Sequence, residues 1–516
     1  MFFYGKDHLT SQKALAILRG QLPATIDEET EGRINQAHQE ILAIADSDAP
    51  VYGINTGFGP LCNTRISKSE MNELQRRLLI SHSVGVGQPI APEMAKLMLI
   101  LKVHAIAQGF SGLSMEVINR ILWHIDHEVI PVVPEQGSVG ASGDLAPLSH
   151  LFLPLIGEGE VWHEGTRKAT QTVLKQYGLT HLNFDPKTGL GLINGTQFIA
   201  AHAVFLVESL HNLLAHADII AAMMVDGMKG SKMPFHPNLH ETRPFKGNIH
   251  VAARIWRLLD QSEILISHLH CDRVQDPYSL RCVPQVHGAS RNAWLHLKEA
   301  VEVEINSVTD NPVIFSRDLS ISGGNFHGQP LALPIDYACL AAHEIGNISD
   351  RRSYLSLEGK LEGTPKLLLH ETGLNSGFMI LQYTGAALVS ENKGLCFPAS
   401  ADSIPTSLGQ EDHVSMGSIG ARKALRVCEN VERVLAIELI CAAQAIDFKR
   451  PLLSGPILEN VLQEFRKHVT FATEDRLFAK DIEVATQLIR SGSLVHIVDQ
   501  SSQEIESPFE HLFEQF

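Results

Sequence analysis

The sequence predicts a mainly α-helical protein, in which a long central helical bundle follows a smaller, mixed N-terminal part. Three observations support this prediction. Four segments read as long helices, at 196–228, 290–308, 336–357 and 411–447. The last of them lacks proline and repeats apolar residues at helical spacing. The stretch 151–195 is instead richer in glycine and proline, whereas the long helices beyond it are of a kind that bury themselves as a bundle.

These observations divide the chain near Gly195. Residues 1–195 form the N-terminal part, which carries two glycine-rich loops, and residues 196–516 form the long-helix bundle with the C-terminal helices. The tail after Asp499 is polar, so we expect it to be the least ordered part of the chain.

The N-terminal part begins with amphipathic helices. From Asp27 the apolar residues fall on one helical face, and acidic residues occupy the first turn. Ser67 opens another helix that ends near His82, where the helix dipole favours a cation or a hydrogen-bond donor. Further helices follow Pro92 and Ser114, and their apolar residues indicate burial in a large core.

A glycine-rich segment at 51–59 interrupts these helices. Its three glycines within seven residues are incompatible with regular secondary structure. The segment is either a plain connection or a mobile lid that carries Tyr52 as a phenolic acid–base group. Further along the chain, we expect a small strand pair around 161–170.

Composition and charge exclude several classes of protein. With 44% hydrophobic and 19% charged residues, the chain has the composition of a soluble globular protein. A net charge of −16 gives no indication of the basic face that nucleic-acid binding requires. The segment 372–390 is uncharged, but its polar residues and glycines make it a poor membrane span. We therefore expect it to be a buried helix, with no membrane partner.

The cysteines and the first residues both indicate a cytoplasmic protein. Seven cysteines are scattered, odd in number and without a C-x-x-C pair, which argues against disulfides or structural zinc. The chain starts without a basic segment followed by an apolar run, so we expect no secretory signal.

The stretch 137–145 sets Ala141, Ser142 and Gly143 in a row within a glycine-punctuated loop. A plain turn is the ordinary interpretation. A hydrolase nucleophile elbow needs glycine two residues to either side of the serine, and Asp144 breaks that pattern. In a third interpretation the loop is squeezed until the Gly143 nitrogen attacks the Ala141 carbonyl. Loss of two waters then leaves a ring with an exocyclic methylene, an electrophile that no encoded side chain provides.

The motif at 139–150 resembles the signature of the aromatic amino acid ammonia-lyases, and the similarity extends from about Tyr52 to past Gln444. In that family the Ala-Ser-Gly triad forms 4-methylidene-imidazol-5-one autocatalytically. The resemblance implies this prosthetic group, a fumarase/aspartase-like helical bundle, and a homotetramer whose subunits share the active sites. It also implies a small-molecule substrate, namely an amino acid.

Elimination of ammonia requires an electrophile for the amine and a base for the weakly acidic β-carbon. The resemblance implies that Tyr52 is the base and that Asn194 is a polar neighbour of the ring. By the same resemblance, Phe326 packs over the electrophile. Taken alone, Phe326 would more often be a core residue.

The octapeptide 275–282 matches the substrate-binding segment of the family. Arginine suits bidentate carboxylate binding, so Arg281 is expected to hold the substrate carboxylate. The alternative is that Arg281 is a structural ion-pair partner. The resemblance also places Gln275 and Tyr278 in the site, with the Tyr278 phenol among the catalytic groups.

Side-chain selection depends on His82 and Glu411. The pair Ser81–His82 occurs in histidine-specific members of the family, but some tyrosine lyases also carry a histidine nearby. Glu411 matches the histidine-specific members, where relatives that select a phenyl ring typically have glutamine. The resemblance thus implies conversion of L-histidine to trans-urocanate. A tyrosine or phenylalanine lyase or aminomutase, and a non-enzymatic helical scaffold, are the alternatives.

Two further patterns are weaker. Gly189 and Gly191 with Gly195 approximate a dinucleotide loop, but the third glycine comes one residue too late. The segment 268–272 brings histidine, cysteine and aspartate together, but residues i and i+2 of a helix point apart. We therefore expect neither a nucleotide nor a metal cofactor.

Overall fold

The computed structural model describes residues 1–47, 50–57, 59, 66–67, 70–269, 273–361, 363–501 and 507–516. Helices dominate these ranges, and the strands among them are at most four residues long. The predicted mainly α-helical fold with a long helical bundle is therefore confirmed.

The helices are α1 Ser11–Leu18, α2 Glu28–Ala45, α3 Met71–His82, α4 Pro92–Ala107, α5 Met115–Asp126, α6 Leu145–Phe152, α7 Thr170–Gln176, α8 Thr188–Ile193, α9 Gln197–Gly227, α10 Pro237–Glu241, α11 Lys246–Leu258, α12 Glu263–Ile266, α13 Tyr278–Arg281, α14 Val283–Ile305, α15 Gln329–Leu357, α16 Met379–Leu395, α17 Gly417–Asp447, α18 Pro456–His468, α19 Phe478–Arg490, α20 Ser493–Ser501 and α21 Glu510–Phe513. The strands are β1 Phe2–Phe3, β2 Ala24–Thr25, β3 Val86–Pro89, β4 Ile130–Pro131, β5 Pro134–Gln136, β6 Glu160–His163, β7 Thr166–Ala169, β8 Val313–Ser316 and β9 Leu319–Ile321.

The chain forms two compact units, each assembled from separate stretches of sequence. The first unit comprises Met1–Phe205, Lys298–Asp336 and Pro398–Arg422. The second comprises Leu206–Leu297, Tyr337–Phe397 and Lys423–Phe516. The division near Gly195 into an N-terminal part, residues 1–195, and a long-helix bundle, residues 196–516, stays a prediction.

The first unit contains the small sheets and a buried helix, α4. Helix α4 packs against α1 and α5, and nearly all of its residues from Met94 onward are buried. Asp27 and Ser114 cap the N-termini of α2 and α5 through their side chains, as residue types at these positions predict. Strands β6 and β7 form the antiparallel pair expected around 161–170.

The second unit contains most of the long-helix bundle. The apolar stripe of α17, which includes Val427, Val431 and Leu435, is fully buried. Helix α9 is long and apolar enough to cross a membrane, but most of its apolar window is buried inside the protein. A core helix of a large protein has these same properties, and this explains the composition of α9.

Two expectations for the second unit are wrong. Helix α16 exposes much of its surface in the single chain, where Ile380 is 57% and Tyr383 is 62% exposed. Only Leu381, Gly385 and Asn392 are buried, because one face of the helix contacts the rest of the unit. A segment without charged residues is compatible both with full burial and with contact along one face, so the sequence could not distinguish the two.

The second correction concerns the tail. We expected the tail after Asp499 to be the least ordered part of the chain, and this is wrong for residues 507–516, which pack into the second unit. Residues 502–506 of the tail lie outside the described ranges. Phe513 is fully buried, and Glu514 pairs with Arg254 at 2.9 Å and His250 at 2.6 Å. The buried guanidinium groups of Arg254 and Arg291 need such a partner, and this requirement outweighs the polar composition of the segment.

Candidate active site

The loop that carries the Ala-Ser-Gly triad lies between β5 and α6 and presses against Gly195. The backbone of Asp144 donates to the Gly195 carbonyl at 2.7 Å, and Gly143 forms a parallel β-bridge with Gly195. Gly143 has a φ of +76°, and a Cβ on it would lie 2.1 Å from the Gly195 oxygen. Only glycine fits at this position. The triad is therefore held in a close backbone approach, as the sequence predicts.

Asp144 anchors the end of the loop. Its Oδ1 accepts a hydrogen bond from the Ser138 hydroxyl at 2.8 Å, and its Oδ2 accepts one from the Ile199 backbone nitrogen at 3.0 Å. Burial raises the pKa of this carboxyl group to about 7, against the effect of these hydrogen bonds. The sequence pattern identified Asp144 only as the residue that breaks the elbow motif.

The segment that precedes α17 holds the loop from another side. Ser415 donates through Oγ to the Gly140 carbonyl at 2.9 Å, and Met416 donates through its backbone nitrogen to the Val139 carbonyl at 2.9 Å. Ala141 belongs to a small apolar cluster with Met416. These contacts explain why α17 begins at Gly417, whereas the sequence predicted a helix from residue 411.

Ser142 brings two of the predicted site residues together. Its hydroxyl donates to Oε1 of Glu411 at 2.5 Å, and its carbonyl accepts a hydrogen bond from Nδ2 of Asn194 at 2.7 Å. The Oδ1 atom of Asn194 is buried and has no hydrogen-bond partner among the described residues. Buried polar atoms in proteins are normally paired. The Asn194 Oδ1 atom is therefore an available hydrogen-bond acceptor beside the triad.

Lys102 supports this arrangement, and the sequence reasoning missed it. Its Nζ donates to the Asn194 carbonyl at 2.8 Å, and its side chain is completely buried on α4. Burial lowers the pKa of Lys102 to about 7, and the Lys187 cation acts in the same sense, while Asp310 opposes both. The available signal was a lone lysine within the apolar run 97–103.

His82 lies at the C-terminus of α3, as expected. Its Nδ1 shares a hydrogen bond with the Ser81 hydroxyl at 2.9 Å. Burial lowers the pKa of His82, while the charge of Glu411 acts in the opposite sense. A neutral imidazole and a carboxylate are thus close enough to interact electrostatically in the same unit.

Tyr52 and Phe326 also belong to this unit. The Tyr52 hydroxyl accepts a hydrogen bond from the Gly59 backbone at 3.3 Å, while residues 58 and 60–65 of the same region lie outside the described ranges. Phe326 is half-buried. Its neighbour His327 stacks on His413, two residues beyond the site carboxylate.

Gln275, Tyr278 and Arg281 form a cluster within the second unit. Arg281 donates to Oε1 of Gln275 at 2.9 Å, and its guanidinium lies 4.6 Å from the centre of the Tyr278 ring. The cluster lines a cavity of about 860 Å³. Among the described residues Arg281 has no carboxylate partner, since the neighbouring Asp276 pairs with Arg273 at 3.1 Å. The guanidinium can therefore accept a carboxylate ligand.

Within the described ranges, no group of three or more His, Cys, Asp or Glu side chains could hold a metal ion. Residues 270–272 of the weak donor cluster lie outside those ranges. The described cysteines are free thiols, and Cys339 and Cys396 approach each other with 3.8 Å between their sulfur atoms.

Residues 9–467 match the family model described as aromatic amino acid lyase. A histidine ammonia-lyase of Desulfotalea psychrophila is 43% identical over 493 residues, which cover 95% of this chain and 96% of that protein. The solved histidine ammonia-lyase from Trypanosoma cruzi has a TM-score of 0.90 at 40% identity, with 99% of this chain and 97% of that one covered. A tyrosine aminomutase from Streptomyces globisporus reaches a TM-score of 0.92 at 31% identity, with 98% and 99% covered.

Proposed function

This chain belongs to the aromatic amino acid lyase family, and we propose on that premise that it eliminates ammonia from L-histidine to give trans-urocanate. The observation that carries the proposal is the Glu411 carboxylate on the triad serine, within electrostatic reach of His82. A carboxylate accepts an imidazole N–H and an imidazole can serve the other ring nitrogen, so this pair suits histidine. Beside a bare phenyl ring, the same carboxylate would be desolvated without compensation.

We infer that Ala141, Ser142 and Gly143 cyclise to 4-methylidene-imidazol-5-one. The close packing of Gly143 on Gly195 supports this inference, as do the Asn194 amide on the Ser142 carbonyl and the unpartnered Asn194 Oδ1. When formed, this group supplies an electrophile for the substrate amine. The contacts of Asp144 and Ser415 keep the loop in place around it.

The remaining roles follow from the chemistry of each side chain. Tyr52 offers a phenolic oxygen that, as the phenolate, can take a proton from the β-carbon. Arg281 can bind the substrate carboxylate through two N–H groups, with Gln275 and Tyr278 orienting the guanidinium.

We propose that copies of this chain assemble as a homotetramer and share residues of each active site. Large side chains on α15 and α16 support this proposal, because Tyr337, Tyr354, Ile380 and Tyr383 are at least half exposed in the single chain. Exposed large apolar and aromatic side chains in such number are typical of protein interfaces. We also propose a cytoplasmic location, where the free thiols would stay reduced.

A tyrosine lyase or aminomutase is the second candidate, because the fold is also close to that of a tyrosine aminomutase. One experiment separates the two. The purified protein is mixed with L-histidine, L-tyrosine or L-phenylalanine, and the ultraviolet absorbance of each conjugated acid is followed. We expect urocanate from histidine at the highest kcat/KM. A preference for tyrosine, or a β-amino acid product detected by NMR, would reject the histidine assignment.

A further inference from the structure

Thr406 makes two contacts with the carboxylate-bearing residue of the proposed site. Its Oγ1 donates to Oε2 of Glu411 at 2.6 Å, and its backbone nitrogen donates to the Glu411 carbonyl at 2.9 Å. One residue thus holds both the main chain and the carboxylate of Glu411. We infer that Thr406 is a positioning residue that fixes this carboxylate for recognition of an imidazole substrate, an inference that rests on the proposed function.

The local backbone shows why these contacts matter. Thr406 and Glu411 form an antiparallel bridge at the base of a tight turn, in which Gly409 donates to the Thr406 carbonyl at 3.0 Å. At the tip, Ser407 and Leu408 have positive φ angles of 50° and 56°, and Leu408 is 97% exposed. Non-glycine residues adopt this conformation only where surrounding contacts enforce it. The bonds across the base are the contacts that hold the turn.

The two oxygens of Glu411 have different partners. Thr406 occupies Oε2, while Oε1 accepts the Ser142 hydroxyl. The proposed cyclisation expels the Ser142 oxygen as water, so Oε1 loses its donor and Oε2 keeps its own. The carboxylate then presents one vacant acceptor in a fixed direction, towards the position that the serine hydroxyl occupied. An imidazole N–H can take that position, whereas a phenyl C–H cannot replace the lost hydrogen bond.

A glutamate side chain has three rotatable bonds, and a free carboxylate could turn away from the substrate. The Thr406 hydroxyl removes that freedom before the substrate binds. The Thr406 hydroxyl should therefore strengthen the binding of ligands with an imidazole ring and leave the binding of ligands with a phenyl ring unchanged. This difference separates a positioning role from a general structural one.

The test replaces the hydroxyl by a methyl group in Thr406→Val and retains it in Thr406→Ser. We expect kcat/KM for L-histidine to fall about 10- to 100-fold in Thr406→Val, the effect of losing one hydrogen bond to a charged group. Thr406→Ser should stay within about threefold of the unmodified protein because its hydroxyl can still donate. Circular dichroism and thermal unfolding establish that both variants fold.

A second readout needs no turnover. Calorimetry compares binding of trans-urocanate, which has an imidazole, with trans-cinnamate, which has a phenyl ring in its place. Thr406→Val should weaken urocanate binding by a factor similar to its loss in kcat/KM and leave cinnamate binding unchanged. The matched control is Ser403→Ala, because Ser403 holds the same segment through the Val414 backbone at 3.0 Å without touching Glu411. The control should leave the urocanate-to-cinnamate ratio unchanged.

The outcomes separate the two proposals. If the unmodified protein converts histidine and Thr406→Val keeps the same urocanate-to-cinnamate ratio, Thr406 has no positioning role and the inference is wrong. An equal loss for both ligands would show a general loop defect and would also overturn it. If the unmodified protein does not convert histidine at all, the proposed function itself fails.

Discussion

Replacing Lys102 by methionine should make the protein more stable and less active. Lys102 is buried without a carboxylate partner among the described residues, and burial lowers its pKa to about 7. In an unfolded chain the same group has a pKa of about 10.4. This gap costs roughly 4 kcal/mol of folding free energy at pH 7, where about half of the folded molecules carry a neutral amine.

The sign of the pH dependence follows from proton binding. Between pH 7 and about 10.4 the unfolded chain holds more protons at this site than the folded one, so stability rises with pH across that window. Methionine avoids this cost but loses the hydrogen bond to the Asn194 carbonyl, worth about 1 kcal/mol. We therefore expect Lys102→Met to be more stable by roughly 2–3 kcal/mol at pH 7, with the advantage gone near pH 10.

Urea unfolding at pH 7 and pH 10, followed by circular dichroism, measures this difference. The exposed lysine of α19 provides a control, since Lys480→Met should change neither midpoint. Activity should fall in Lys102→Met, because the Asn194 backbone loses the donor that holds its amide on the triad. Equal urea midpoints for Lys102→Met and the unmodified protein at pH 7 would refute the reasoning.

Three further predictions concern the triad, substrate selection and the tail. Ser142→Ala should fold but lose nearly all lyase activity, and intact mass should show no loss of two waters; substantial turnover would reject the prosthetic-group proposal. Glu411→Gln should lower kcat/KM for histidine by about 10- to 1000-fold, as expected when a charged hydrogen-bond partner is lost, while phenylalanine kinetics stay unchanged or improve. Glu514→Gln should destabilise the protein by about 3–5 kcal/mol at neutral pH, because buried arginines lose their partner. Burial acts to raise the pKa of Glu514, but Arg254 and His250 outweigh it and lower that pKa, so the difference in urea midpoint should shrink below about pH 4.3. The exposed control Glu483→Gln should show no such effect, and an equal loss in both variants would contradict the assignment.

The sequence predicted those features that depend on local pattern. Helix α9 and the buried stripe of α17 follow from apolar spacing, which is a property of neighbouring residues. The glycine punctuation around Ser142 predicted a tight loop, and the contact of Gly143 with Gly195 confirms that close approach. The roles of the residues in the proposed site stay predictions.

What the sequence could not predict depends on partners distant along the chain. Lys102 contributes through the carbonyl of Asn194, 92 residues further along the chain, and no residue pattern identifies that atom in advance. The start of α17 is set by hydrogen bonds from residues 415–416 to the loop, which outweigh a helical sequence pattern. Which face of α16 is exposed likewise depends on how the helix packs against the rest of the second unit, and the sequence of α16 alone does not contain this information.

The position of Glu514 has a consequence for the order in which the second unit assembles. Arg254 lies 260 residues before its partner Glu514, so closing this contact is slow compared with forming helices. Until segment 507–516 docks, Arg254 and Arg291 share Asp218 as a partner but lack Glu514. Water must then remain around the guanidinium groups, because burying them unpaired is too costly. Water should therefore leave the interior of the second unit last at this cluster. Hydrogen exchange during refolding should show late protection of the backbone amides of α11 and early protection of those of α17.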